Sequence, residues 1–189
     1  TTALDACQQA DRLYLSLARE QPRQQIWHEQ RRQSLALAGD VLERMGNLPA
    51  AIDRYVDSVA IVETMLRLET QPPSLKLWKD KYQWTMRRLG DLRSDAGRPT
   101  AALSSYRAGV DTAIELAQAE PNDTRLQRDA SLLLARLGSA QRQNGDLDGA
   151  QASLRAALAK AQVLARNNPS DAGLQADEAS ILTDLGTVT

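Results

Sequence analysis

Apolar residues recur along this chain at three- and four-residue spacing, in long stretches separated by short polar turns. Leu126, Ala130, Leu133, Leu134 and Leu137 give one such face, and that spacing is the signature of an amphipathic helix. The stretch that follows alternates small and large apolar positions: Ala150, Leu154, Ala157, Leu158 and later Leu164. Proline and glycine punctuate the changes. Pro22, Pro73, Pro121 and Pro169 are spaced 51, 48 and 48 residues apart, and Gly39, Gly90, Gly138 and Gly186 keep the same spacings. Second glycines stand at Gly46, Gly97 and Gly145, each followed five residues later by Ala51, Ala102 or Ala150. Trp27, Trp78, Leu126 and Leu174 each stand five residues after a proline. Five columns in one register establish an internal repeat.

Each unit reads as two helices, A then B. The proline suits the first turn of helix A or the loop before it, because its missing N–H costs nothing there. Asp123 or Thr124, and Ser170 or Asp171, are placed to cap the A helices that follow. The second glycine ends helix A, and Thr100 or Asp148 is placed to cap helix B. Helix B then presents Ala51, Ala102 and Ala150, the large Tyr55, Tyr106 and Leu154, and the small Ser58, Gly109 and Ala157. The small positions admit a close neighbour and the large ones fill beside it. Ala3, Cys7, Ala10 and Leu17 fit the B register one unit earlier. The pattern predicts eight helices, at 2–20, 23–45, 48–70, 75–96, 99–119, 123–144, 147–168 and 171–187. The three extra residues of the first full unit are expected in the Glu69–Ser74 loop.

Composition narrows the function classes. The formal net charge is −1 with both signs mixed, which gives no electrostatic argument for nucleic acid or an anionic membrane. No apolar run approaches the roughly 18–20 residues of a membrane span. Cys7 is the only cysteine and His28 the only histidine, too few for a Cys-rich metal site or a histidine-based triad. Phosphate-binding, zinc-protease and nucleophile-elbow motifs are missing. His28 reads as a surface histidine and Cys7 as a core filler. The expectation is a chain without enzymatic activity, cofactor or metal, outside the membrane and cytoplasmic.

Leu89-Gly90, Ala102 twelve residues after that glycine, Tyr106 four later and Gly109 at the next small position form one motif. Gly39, Ala51, Tyr55 and Ser58 repeat it, and Gly138, Ala150, Leu154 and Ala157 repeat it without the aromatic. In this the chain resembles the tetratricopeptide repeat (TPR) superfamily. The departure is length, since the standard repeat has about 34 residues and this one has 48. About seven added residues in each helix make nearly two turns, with a drift of about 20°, so the core stripe keeps its face. The chain is similar to long-helix, kinesin-light-chain-type and bacterial TPR-like arrays, including regions that follow Ser/Thr kinase domains. The resemblance implies an all-α fold, a right-handed α-solenoid of antiparallel helix pairs. It implies one TPR-like domain over 1–189: a partial repeat 1–21, repeats 22–72, 73–120 and 121–168, and a partial repeat 169–189. A piece of a longer chain is the expectation.

The resemblance also places any binding site on a concave surface made by the A helices. Asp40, Arg44, Trp84, Arg87, Asp91 and Arg142 fall at such groove positions. Trp84 stands out, because Trp78, Tyr82 and Met86 already occupy the core columns of its helix. The function implied is a scaffold that binds a protein or peptide on this surface. The alternatives are structural self-association through open repeat ends, where Ile181, Leu182 and Leu185 lack a following B helix, and a non-catalytic regulatory or sensor region of a larger bacterial protein. The column assignment has a direct test. Gly109→Leu inserts volume at a close helix contact and should cost at least about 1–3 kcal/mol, read as a clear drop in melting temperature.

Overall fold

The computed structural model describes residues 2–188. Among them the chain forms eight α-helices and no strand: α1 (Ala3–Glu20), α2 (Gln25–Arg44), α3 (Leu48–Leu68), α4 (Pro72–Asp95), α5 (Pro99–Ala119), α6 (Thr124–Gln143), α7 (Leu147–Asn167) and α8 (Ala172–Gly186). They group into two compact units, Thr1–Gly97 and Arg98–Thr189. Each unit runs B-A-B-A in the terms of the sequence repeat, so the division falls at the glycine that separates helix A from helix B. Within each unit, consecutive helices pack on one another.

Local chemistry sets the helix ends. Gly46, Gly97 and Gly145 have φ of 76°, 68° and 81°, a left-handed conformation that glycine adopts without penalty. After α2, the Gly46 N–H donates to Glu43 O and the Asn47 N–H to Leu42 O, at 2.8 and 2.9 Å. After α6, the Gly145 N–H reaches Arg142 O and the Asp146 N–H reaches Gln141 O. These paired bonds satisfy carbonyls that the helix end would otherwise orphan. Asp123 caps α6 by accepting from the Leu126 N–H at 3.0 Å. Asp171 caps α8, accepting from Gly173 and Leu174.

The sequence expectation for the B-helix caps is corrected. Asn47 and Asp146 cap α3 and α7, accepting from the Ala50 and Gly149 N–H groups at 3.3 and 2.9 Å. Thr100 lies inside α5 and its hydroxyl donates to Asn144 Oδ1, while Asp148 lies in the first turn of α7. Each B helix starts two residues after the glycine, earlier than the column of Thr100 allows. A second correction concerns the three extra residues. They are wound into the start of α4, which opens on Pro72 and Pro73 and is 24 residues long against 20 for α2 and α6. Two prolines at the first helical positions pre-set φ and sacrifice no internal bond.

The core follows the small-and-large columns. Ala51, Ala102 and Ala150 are fully buried. Tyr55 is 0% exposed and Leu154 1%, and each sits directly over a helix-A glycine. A Cβ added to Gly39 would lie 2.7 Å from the Tyr55 ring, and one added to Gly138 would lie 2.7 Å from Leu154 Cγ. Cys7 is buried in the same column of α1, a core filler as its register implies. Ile181 is buried too, packed into the core of the second unit, so only Leu182 of the expected open trio is strongly exposed.

Gly138→Ala separates packing from helix propensity. The new methyl meets Leu154 and, at 3.1 Å, the Ala150 carbonyl. Overpacking of about 1–3 kcal/mol should exceed the gain of about 1 kcal/mol that alanine brings to a helix. Gly186→Ala, with nothing within 4 Å at the last residue of α8, should be neutral to slightly stabilising, by less than about 1 kcal/mol. Urea denaturation of both variants reads the difference.

Candidate functional site

In the first unit, side chains of two A helices, α2 and α4, meet above the tyrosine of the B helix between them. On α2, Glu29, Arg32 and Gln33, and further along Asp40 and Glu43, recur at three- and four-residue spacing and share a face. On α4, Lys81, Trp84 and Arg88 do the same. Arg32 pairs with Glu29 through two bonds of 2.8 and 2.9 Å. Lys81 Nζ donates to Glu29 at 2.8 Å, and Gln33 Nε2 donates to the same Glu29 oxygen at 2.7 Å. The Arg32 guanidinium lies 5.8 Å from the Trp84 ring centre, and Trp84 is 6.3 Å from the Tyr55 ring, tilted by 43°. Arg88 crosses over the Tyr55 ring at 5.6 Å. Its Nη2 donates to Asp40 at 3.0 Å and to Glu43 at 2.8 Å. The Tyr55 hydroxyl donates to the same Asp40 oxygen at 2.7 Å.

The charges in this network hold one another in place. Burial pushes the Glu29 carboxyl up, but its bonds from Arg32, Lys81 and Gln33 outweigh burial and hold its pKa at about 2. Burial, with the neighbouring Asp40 acceptor, raises the Tyr55 hydroxyl above its ordinary value, so Tyr55 remains a neutral donor. Burial works against the Arg88 cation, yet its bonds to Tyr55, Asp40 and Glu43 leave its pKa raised.

Against this geometry the six sequence-assigned positions fall into different roles. Asp40 is committed to Tyr55 and Arg88. Trp84 is half-buried, packed between Arg32 and Tyr55. Arg87 is half-buried and Arg44 exposed, and neither has a hydrogen-bond or ion-pair partner among the described residues. Asp91 is half-buried one turn beyond Arg87. Arg142 belongs to the second unit, exposed in the last turn of α6.

Sequence reasoning passed over Arg88, the residue that ties α4 to α2, and the Glu29–Arg32–Lys81 group. A signal for Arg88 was present in the repeat. Arg88 and Arg136 each stand two residues before a helix-A glycine. In the unit before each, an aspartate follows the glycine and a tyrosine stands in the large column: Asp40 with Tyr55, Asp91 with Tyr106. Where that pair is missing upstream, the arginine column holds Leu37 or Asp184.

Other chemistry is sparse. Among the described residues no group of three or more His, Cys, Asp or Glu could hold a metal ion, and no helix is long and apolar enough to cross a membrane. His28 Nε2 donates to the Pro22 carbonyl at 2.9 Å, and burial raises the Cys7 thiol.

No protein-family profile matches the sequence, and no curated protein matches it. Solved structures share the fold. BtubC (BKLC) from P. vanneervenii superposes with a TM-score of 0.64 at 16% identity, over 100% of this chain and 66% of that one. This chain therefore spans just under two thirds of that protein's length. The nearly identical TPR-like repeats of a Podosopora anserina protein assigned as a kinesin light chain give a TM-score of 0.52 at 16% identity, over 96% of this chain and 86% of that one.

The Glu29 pairing has a pH signature. Its folded pKa is about 2 against an ordinary 4.5. The stabilisation is fully present above the ordinary value and is lost as pH falls through the folded one. Glu29→Gln should therefore destabilise by up to about 3 kcal/mol near neutral pH. The gap to wild type should close as pH falls from about 4.5 to about 2, measured by urea denaturation at stepped pH.

Proposed function

We propose that this chain, a TPR-like helical repeat, is a protein-interaction scaffold whose partner lies along the α2–α4 face of the first unit. Stacked helix pairs present extended surfaces, and protein binding is the common use of such arrays. The observation that carries the reading is the division of charge on this face. Glu29, Asp40 and Glu43 are each engaged by the chain's own cations. Arg44 and Arg87 are engaged by nothing among the described residues. Trp84, one turn before Arg87 on α4, is partly exposed.

Arginine and tryptophan are the residues most often found to dominate binding energy at interfaces. A segment that satisfies this face carries carboxylates for Arg44 and Arg87 and an apolar or aromatic side chain to rest against Trp84. The internal network has a separate part in this reading. It fixes α2 against α4 before any partner arrives, so little ordering is left to oppose binding.

The test is a capture experiment with wild type and an Arg44→Ala, Arg87→Ala double variant. Both arginines lack internal partners, so the variant should melt at the wild-type temperature. A partner should be retained by wild type and lost by the variant, and capture should weaken between about 50 and about 300 mM salt as exposed charges are screened. Equal capture by the two proteins would move the interaction to another face.

A further inference from the structure

We propose that the second unit carries a separate ligand site, a pocket for a carboxylate borne on a short aliphatic body. A cavity of about 520 Å³ opens between the start of α6 and the last turns of α7, within the range of about 300–1,000 Å³ usual for small-molecule sites. One side is apolar, formed by Pro121, Val163 and Leu164; Val163 is 47% exposed to the opening. The polar lining residues are Asn122, Thr124, Gln127, Lys160, Asn167 and Asn168, of which Lys160 carries the charge. Lys160 Nζ donates to Gln127 Oε1 at 3.1 Å, a neutral acceptor, and no carboxylate lines the cavity. Asn122, Thr124 and Asn167 line it with side chains that make no hydrogen bond among the described residues. The Asp123 carboxylate next to them is used in capping α6.

The repeat shows that this opening is particular to its unit. The same places 99 residues earlier hold Gln25, Ile61, Leu68 and Glu69, where the pocket has Thr124, Lys160, Asn167 and Asn168. In the earlier unit the cleft is bridged. Gln25 Nε2 donates to Glu69, Gln25 Oε1 accepts the Trp78 indole N–H at 3.3 Å, and Ile61 is 5% exposed. In the later unit the shorter Thr124 and Asn168 make no such bridge, Asn168 Nδ2 turns back to the Leu164 carbonyl at 3.0 Å, and the one bond across the cleft is that of Lys160 to Gln127. A lysine stands where the first unit buries Ile61. Departures from the packing rule of a fold concentrate at functional positions.

The chemistry selects the ligand. An amine is repelled by Lys160. A bare inorganic anion leaves the Val163 side uncovered, and a neutral alkyl group leaves the ammonium without a counter-charge, with only the neutral Gln127 oxygen as acceptor. A carboxylate on an aliphatic body satisfies both sides. It can come from a small free acid or from an acidic side chain on a peptide.

Hexanoate titrated into the whole chain, followed by backbone amide NMR shifts, tests this. The shifts should fall in 121–127 and 159–168, with an affinity of about millimolar for so small a probe, and hexylamine should produce none there. Lys160→Met keeps the aliphatic stem and removes the charge; it should weaken hexanoate roughly tenfold or more, while Lys160→Arg retains binding. Acetyl-Val-Glu-amide distinguishes the sources: tighter binding than hexanoate at the same amides assigns a peptide carboxylate, weaker binding a free acid. Shifts scattered over the surface, equal effects of hexanoate and hexylamine, or unchanged affinity in a folded Lys160→Met protein would each overturn the assignment. If Lys160→Met does not fold, the contrast between hexanoate and hexylamine on wild type decides it.

Discussion

The close approach of helix A to helix B, with a glycine on one side and a large side chain on the other, is the constraint from which the rest of this structure follows. At Gly39 and Gly138 there is no room for a β-carbon. That fixes the register of each pair, because sliding either helix by one residue would place a side chain where only hydrogen fits. It also aims what lies next to it. With its ring seated on Gly39, Tyr55 brings its hydroxyl to Asp40, the residue after that glycine. Arg88 then closes over the ring from α4. A steric rule of the fold thus becomes an electrostatic junction between successive A helices.

That junction determines which charges face outward unengaged. Opposite charges on α2 and α4 neutralise one another at distances of 2.8–3.0 Å. Their partial burial makes each pair worth more than one on an open surface, although desolvation takes back part of the gain. Arg44 and Arg87 make no such pair among the described residues.

A repeat keeps its columns and varies its exceptions. The pairs α2–α3 and α6–α7 share helix lengths and small-residue columns, yet one seals its end cleft with Gln25 and Glu69 and the other opens it around Lys160. The core tolerates this because the cleft lies at the helix ends, beyond the Ala–Gly contacts that hold the pair together. Individual function on a repeated scaffold is written in such positions.

The sequence alone determined the all-α class, the eight helices and the buried columns, since helical periodicity, left-handed glycines and small residues at close contacts act within a few residues of themselves. It also placed Trp84 and Arg87 on one helix, α4. It misassigned the caps of α5 and α7, where the glycine's turn decides the helix start, and it treated the start of α4 as loop. It did not reveal that Asp40 is internally committed, that Arg88 locks α4 to α2, or that Lys160 lines an opening. Those facts depend on side chains about 30 to 50 residues apart meeting at hydrogen-bond distance. Which polar groups find a partner, and which are left for a ligand, is decided only when packing brings the helices together.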